Sequence, residues 1–186
     1  DFALSPATPP DVVVGDRRIH YGASRNVPSR LDEPATGLAT VVLIATDHPD
    51  DLARTIAGLR THAPAGASVV VVADAPSVEQ DEALGVLDDA PTDPALPIEV
   101  VRTSDRLGYG AATNIGVCRA SAPVVILLDT SLQPTGDIVT PLAEALIDPS
   151  VAVVGGWGIT SADLRRFEDA PPGDVDAIEG YCQAFR

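Results

Sequence analysis

The chain is short of cysteine, aromatic residues and positive charge, and it has no methionine at all. Its two thiols, Cys118 and Cys182, stand in apolar or mixed segments without metal-ligand spacing and are too few for a disulfide framework. Reduced, buried thiols are expected, and they favour a cytoplasmic chain. His20 and His62 have no neighbours at ligand spacing, so no zinc site is expected. Lys and Arg number 12 against 27 Asp and Glu, a formal net charge of -15. That balance excludes non-specific binding to nucleic acid or to an anionic membrane, since both need clustered cations. Long apolar runs are also missing. Val69–Ala73 and Pro123–Leu128 are far too short to span a bilayer, so no transmembrane segment is expected in this chain. Because the chain starts at Asp1 rather than at a methionine, the lack of a leader carries no weight.

What is present is apolar content, 45% of 186 residues, enough for one domain with a full core. Residues 1–38, rich in proline and without a helical period, read as an N-terminal extension with one or two short strands, the first around Val12–Val14. From Ala39 the character changes. TVVLIA is a β-branched and aliphatic run of the kind buried on both faces of a parallel sheet, and the domain is expected to occupy 39–186. Pro49 then sits where a first helical turn accepts it, with Leu52, Ile56 and Leu59 at helical spacing. SVVVVAD is a second strand. Ser77 with Gln80 three residues on has capping-box spacing before Leu84 and Leu87, which predicts a second helix. The alternation continues with PIEVVRT, a helix over 110–120, PVVILLD, a helix over 138–146, and VAVVGG. It predicts an α/β fold with right-handed crossovers and a mainly parallel, Rossmann-like sheet sandwiched by helices. A short helix is expected from Ser161 through Asp163, Glu168 and Asp169.

Ligands of such sheets bind at the carboxyl ends of the strands. The expected rim is therefore Ala45–His48, Asp74–Ser77, Thr103–Gly110 and Asp129–Ser131. At that rim Asp74 is placed to accept from the N–H of a base such as uracil, and Ser77 to cap a helix or reach a ribose or phosphate. In the run from Asp105 to Gly116, Gly108 and Gly110 let backbone approach a ligand, and Asn114 offers both donor and acceptor. The spacing is not a dinucleotide fingerprint, because Thr113 stands where the third glycine belongs. Asp129 ends a buried strand, where a carboxylate holds a divalent cation or a ribose hydroxyl, or is simply solvated.

Taken in order, the TVVLIAT strand, Asp74 with Ser77, the Gly108-Tyr-Gly-Ala-Ala-x-Asn-x-Gly helix start and Asp129 resemble the family 2 glycosyltransferases of the GT-A fold, over about Ala39 to Val154. The resemblance implies a nucleotide-diphosphate sugar lying across the strand ends. Ala45, Thr46 and His48 match the loop that cradles the nucleoside, and Asp74 the base contact, with a leaning toward uridine or thymidine. Gly108 to Asn114 match the loop near sugar and diphosphate, and Asp129 the first acid of the D-x-D motif. The implied activity is transfer of a hexose to an acceptor hydroxyl, with inversion and a general base.

Two departures matter. Ser131 replaces the second D-x-D acid, which weakens the case for Mg²⁺ or Mn²⁺ at Asp129. Arg106 stands where the family has asparagine, and its charge is suited to a phosphate of the donor. The family's base lies beyond a strand resembling 177–186, where this chain stops, so three readings remain: a fragment of a longer enzyme, a compact enzyme using another acid, or an inactive binding or scaffold domain. Among the acids present, Glu179 is the candidate base, with Asp176 as its neighbour; a solvated role is the alternative for each. Trp157, between glycines, is suited to lie against a sugar face or to pack in the core. A nucleotidyltransferase would want a basic, glycine-rich loop after the first strand, and TDHPDD is acidic.

Overall fold

A computed structural model of the chain describes residues 11–14, 17–20, 34–89 and 93–186. Its centre is the expected apolar run, β3 (Ala39–Ala45), with β4 (Ala67–Asp74), β5 (Ile98–Thr103) and β6 (Val125–Leu128). These four strands are parallel, β5-β4-β3-β6 across the sheet. Helices α1 (Pro49–His62), α2 (Val78–Asp89), α3 (Tyr109–Arg119) and α4 (Val139–Ala145) follow them in turn.

Consecutive positions along the middle of these strands are apolar because both sheet faces are covered, and the period of two divides them between two cores. Val41, Leu43, Val69 and Val71 face one way, onto Leu52, Ile56 and Leu59 of α1, Leu84 of α2 and Leu142 of α4. Val42, Val70, Val72 and Val101 face the other way, onto Ala112 and Ile115 of α3. Gly116 lets α3 lie flat on the sheet, since a Cβ there would stand 2.3 Å from Val42 Cγ1.

Among the described residues the sheet has eight strands, and its flanks are antiparallel. Strands β1 (Asp11–Val14) and β2 (Arg17–His20) extend it beyond β5. At the other side the last strand, β11 (Cys182–Phe185), inserts between β6 and β7 (Val153–Gly155), antiparallel to both. The VAVVGG segment is thus shorter than its apolar run suggests and is separated from β6 by the chain's last strand. The segment before β7 is tied down by Arg186, whose guanidinium donates to the carbonyls of Leu146 (2.8 Å) and Val151 (3.0 Å).

A second, three-stranded sheet is formed by β8 (Gly158–Thr160), β9 (Glu168–Asp169) and β10 (Ala177–Ile178), in the order β10-β8-β9. It corrects the expected helix from Ser161. Asp163 Oδ1 instead accepts the N–H groups of Arg165 and Arg166, at 2.9 and 3.0 Å, and Leu164 adopts φ 56°, outside the helical region. Local side-chain bonding closes a turn there, and Glu168 and Asp169 pair with Thr160 and Ile159.

Half of the expected capping box forms. Ser77 Oγ accepts the Gln80 N–H at 3.2 Å, but the Gln80 amide is fully buried, and neither of its polar atoms has a partner among the described residues. Such a group costs its desolvation without return. Gln80→Met keeps length and removes both polar atoms. Urea unfolding is expected to show a gain of about 1–2 kcal/mol; unchanged or lower stability would mean the amide is satisfied.

Candidate functional site

The parallel strands end at Ala45, Asp74, Thr103 and Leu128, and the loops that leave them form one rim. Asp74 organises it. Its Oδ1 accepts the Leu107 N–H at 2.7 Å and the Thr103 hydroxyl at 2.9 Å, and its Oδ2 accepts the Gly108 N–H at 2.8 Å. Gly108 precedes α3 at φ 89°, a conformation that side chains resist, so glycine is required for the loop to turn its amide onto Asp74. The carboxylate expected to meet a base is therefore already engaged with the glycine loop, with room for about one more donor among its four acceptor positions.

Asp47, which nothing in the sequence singles out, joins three loops. It leaves β3, its Oδ1 accepts the Ser77 N–H at 3.2 Å, and its Oδ2 pairs with Arg106 at 3.0 Å. These partners lie 30 and 59 residues away in sequence. An acid in TDHPDD gives no sequence signal of such a pairing; only the crossover connections bring it about. Its carboxyl is held below the usual aspartate range, first by the Arg106 hydrogen bond and then by the Ser77 N–H. The clasp is thus complete at neutral pH and is lost as pH falls through that lowered value, below the ordinary aspartate pKa of about 3.9. Arg106, exposed and held by Asp47, brings the rim a cation.

The other expected residues fall around this frame. Thr46 and His48 are exposed, whereas the Ala45 methyl belongs to the core. His48 starts α1 through its carbonyl, which accepts the Asp51 N–H at 3.1 Å, and its imidazole makes no capping bond. Gly110 is open on its Cβ side, and Asn114 is exposed on α3. Beyond β6, Asp129 Oδ1 accepts the Ser131 N–H at 2.8 Å, and Oδ2 has no partner among the described residues. No group of three His, Cys, Asp or Glu side chains at metal-binding distance occurs among the described residues.

Helix α1 holds this last loop. The buried Thr55 hydroxyl lies 2.8 Å from the Thr130 carbonyl and 2.7 Å from that of Leu132. On the far side, the Tyr181 carbonyl accepts the Asp129 N–H at 2.8 Å, so the residues before β11 border the rim. Glu179 is exposed in that segment, and its N–H donates to the Trp157 carbonyl at 3.0 Å. Asp176 is turned away into the small sheet, accepting from the Thr160 hydroxyl at 2.8 Å and the Ser161 N–H at 2.7 Å. Both thiols are free. Cys182 is buried, and burial pushes its thiol pKa up.

A cavity of about 650 Å³ opens at the opposite, amino ends of the strands, among residues such as Gly37, Ser68, Leu96 and Pro97. It is walled by the Arg119–Glu99 ion pair at 2.6 Å and carries none of the rim loops. Open α/β sheets place their ligands at the carboxyl end, where loops diverge and backbone N–H groups point outward.

Parallel strands β5-β4-β3-β6, helices on both faces and a loop rim at the carboxyl ends define an α/β domain of the GT-A type. The family model for glycosyl transferase family 2 matches residues 40–173, and the chain belongs to that family. No curated protein matches it in sequence. Its fold is similar to that of a mannosyltransferase from Pyrobaculum calidifontis solved in complex with GDP-Man and Mn2+, with a TM-score of 0.60 and 18% identity. The match covers 82% of this chain and 45% of that one, so the chain spans less than half the length of the mannosyltransferase. At that identity the likeness shows the fold. No helix among the described residues is long and apolar enough to cross a membrane.

Proposed function

We propose that the chain binds a nucleotide-diphosphate sugar at this rim and serves transfer of the sugar to an acceptor hydroxyl. The observation that carries the reading is the convergence of Asp47, Asp74, Arg106 and the Leu107–Gly108 amides at the strand ends of a family 2 domain. Thr46, His48 and the fourth acceptor position of Asp74 suit the nucleoside, with uracil or thymine as the base. Gly108, Gly110 and Asn114 suit the sugar and diphosphate. Arg106, released from Asp47, supplies the phosphate with the positive charge that a chain of net charge -15 otherwise lacks.

In the transfer step the acceptor oxygen attacks the anomeric carbon as the bond to the diphosphate breaks. The nucleotide diphosphate leaves with the electron pair, and the acceptor proton passes to a base. Glu179 is the acid of this chain nearest in sequence to the strand that borders Asp129. A divalent cation, Mg²⁺ or Mn²⁺, would neutralise charge on the leaving diphosphate. One unpartnered Asp129 oxygen and the Ser131 hydroxyl fit a cation that arrives with the diphosphate, and are too few to form a standing site.

Calorimetry with UDP-, dTDP- and GDP-sugars, with and without Mn²⁺, tests the reading. Saturable binding of at least one donor is expected, preferring a pyrimidine. Arg106→Ala is expected to weaken it about tenfold and to flatten its dependence on salt. No binding of any donor would overturn the function, and unchanged affinity in the variant would overturn the role of Arg106.

A further inference from the structure

Trp157 is the only tryptophan of the chain and stands 47% exposed, immediately before β8. An indole left half in water forfeits apolar burial, so it needs a reason. Three contacts fix it. The Trp157 Nε1–H donates to Asp169 Oδ1 of β9 at 3.2 Å, its carbonyl accepts the Glu179 N–H at 3.0 Å, and the N–H of its neighbour Gly156 donates to the Cys182 carbonyl at 3.2 Å. The ring is therefore held at its polar edge while the residue stays about half exposed.

Its place in the fold is equally specific. The segment from Glu179 to Cys182 bonds to Gly156 and Trp157 on one side, and through the Tyr181 carbonyl to the Asp129 N–H on the other. Two strand spacings separate Asp129 from Trp157, roughly 10 Å. The charge at the indole's polar edge is negative, from Asp169. Asp169 and Glu179 both bear on the Tyr181 hydroxyl, whose pKa is raised first by desolvation and then by these carboxylates and Cys182. An aromatic ring with a carboxylate at its edge disfavours a phosphate or an acidic peptide. It offers a neutral polyol what it needs: an apolar surface for the C–H face of a ring and strong acceptors for its hydroxyls.

We infer that Trp157, oriented by Asp169, is the platform on which an uncharged saccharide acceptor stacks, beside the donor rim and separate from it. The inference rests on the glycosyl-transfer reading for the word acceptor. The binding surface stands on its own geometry.

A single tryptophan makes the test direct. Emission of Trp157 is followed while methyl glycosides of glucose, galactose, mannose and rhamnose, and the disaccharides maltose and cellobiose, are added up to their solubility limits. Donor binding is measured in parallel by calorimetry with UDP. At least one saccharide is expected to change the emission saturably, with UDP present or absent. Asp169→Ala is expected to weaken that saccharide about tenfold, Asp169→Asn, which can still accept from the indole, clearly less, and both to leave UDP affinity unchanged. UDP binding without any saccharide response overturns the platform and spares the donor site; a saccharide response without nucleotide binding does the reverse. Two further outcomes overturn the platform: equal saccharide affinity in Asp169→Ala, or a response to choline alone, since an indole with a carboxylate at its edge can also attract an organic cation.

Discussion

Asp74→Ala is expected to lower stability by about 2–3 kcal/mol and nucleotide-diphosphate affinity by at least about tenfold. Two backbone donors, the Leu107 and Gly108 N–H groups, lose their acceptor together, while the Thr103 hydroxyl keeps the Asp105 carbonyl at 2.9 Å. Each bond to a charged acceptor contributes about 1.5–3 kcal/mol, and water returning to this half-buried place recovers part of the sum. The loop between β5 and α3 then loses the anchor that holds its glycine backbone at the rim. Asp74→Asn is expected to fall between, because one amide oxygen remains while the NH₂ group opposes a backbone N–H. Urea unfolding and calorimetry on the same preparations check both effects. If affinity fell with stability untouched, Asp74 would act on the base directly, and the loop-anchoring account would be wrong.

Gly58→Ala is expected to cost about 2–3 kcal/mol and to weaken donor binding through the loop that carries Asp129. On an exposed helix surface this substitution would stabilise by about 1 kcal/mol. Here the position is buried in α1, and an added Cβ would stand 2.5 Å from the Pro134 carbonyl oxygen and 3.1 Å from its nitrogen. Backbone cannot swing aside as a flexible side chain does, so the helix and the loop must separate. That movement also strains the contacts of Thr55 with the Thr130 and Leu132 carbonyls. The urea midpoint of the variant, with its donor affinity measured with and without Mn²⁺, measures both consequences. A variant as stable as the parent would show that the loop has slack.

Much of this fold is legible in the sequence because its signals are local. The apolar runs of β3 and β4, the helical spacing of Leu52, Ile56 and Leu59, and Ser77 at the start of α2 each depend on neighbours within a few residues. What was not legible depends on distance. The insertion of β11 between β6 and β7 follows from pairing with partners such as Leu128 for Cys182 and Gly155 for Gln183, far apart in sequence, which no periodicity encodes. The helix expected from Ser161 fails because Asp163 bonds its own turn and the short strands behind it pair with β8. At the rim, the glycines and Asp74 stand out by their order along the chain. Asp47 does not, since an acid in an acidic loop acquires meaning only once Ser77 and Arg106 are beside it. Gln80 shows the same limit in reverse: its spacing fits a capping box, yet its amide is buried without a partner among the described residues.

Hydrogen exchange at backbone amides, followed with and without a saturating nucleotide-diphosphate sugar and Mn²⁺, tests most directly where this domain binds its ligand. The account predicts slowed exchange at 46–48, 74–80 and 105–114, and no change at 66–70 and 96–100. Slowing confined to 36–37, 66–70 and 96–100, the cavity at the amino ends of the strands, would contradict it.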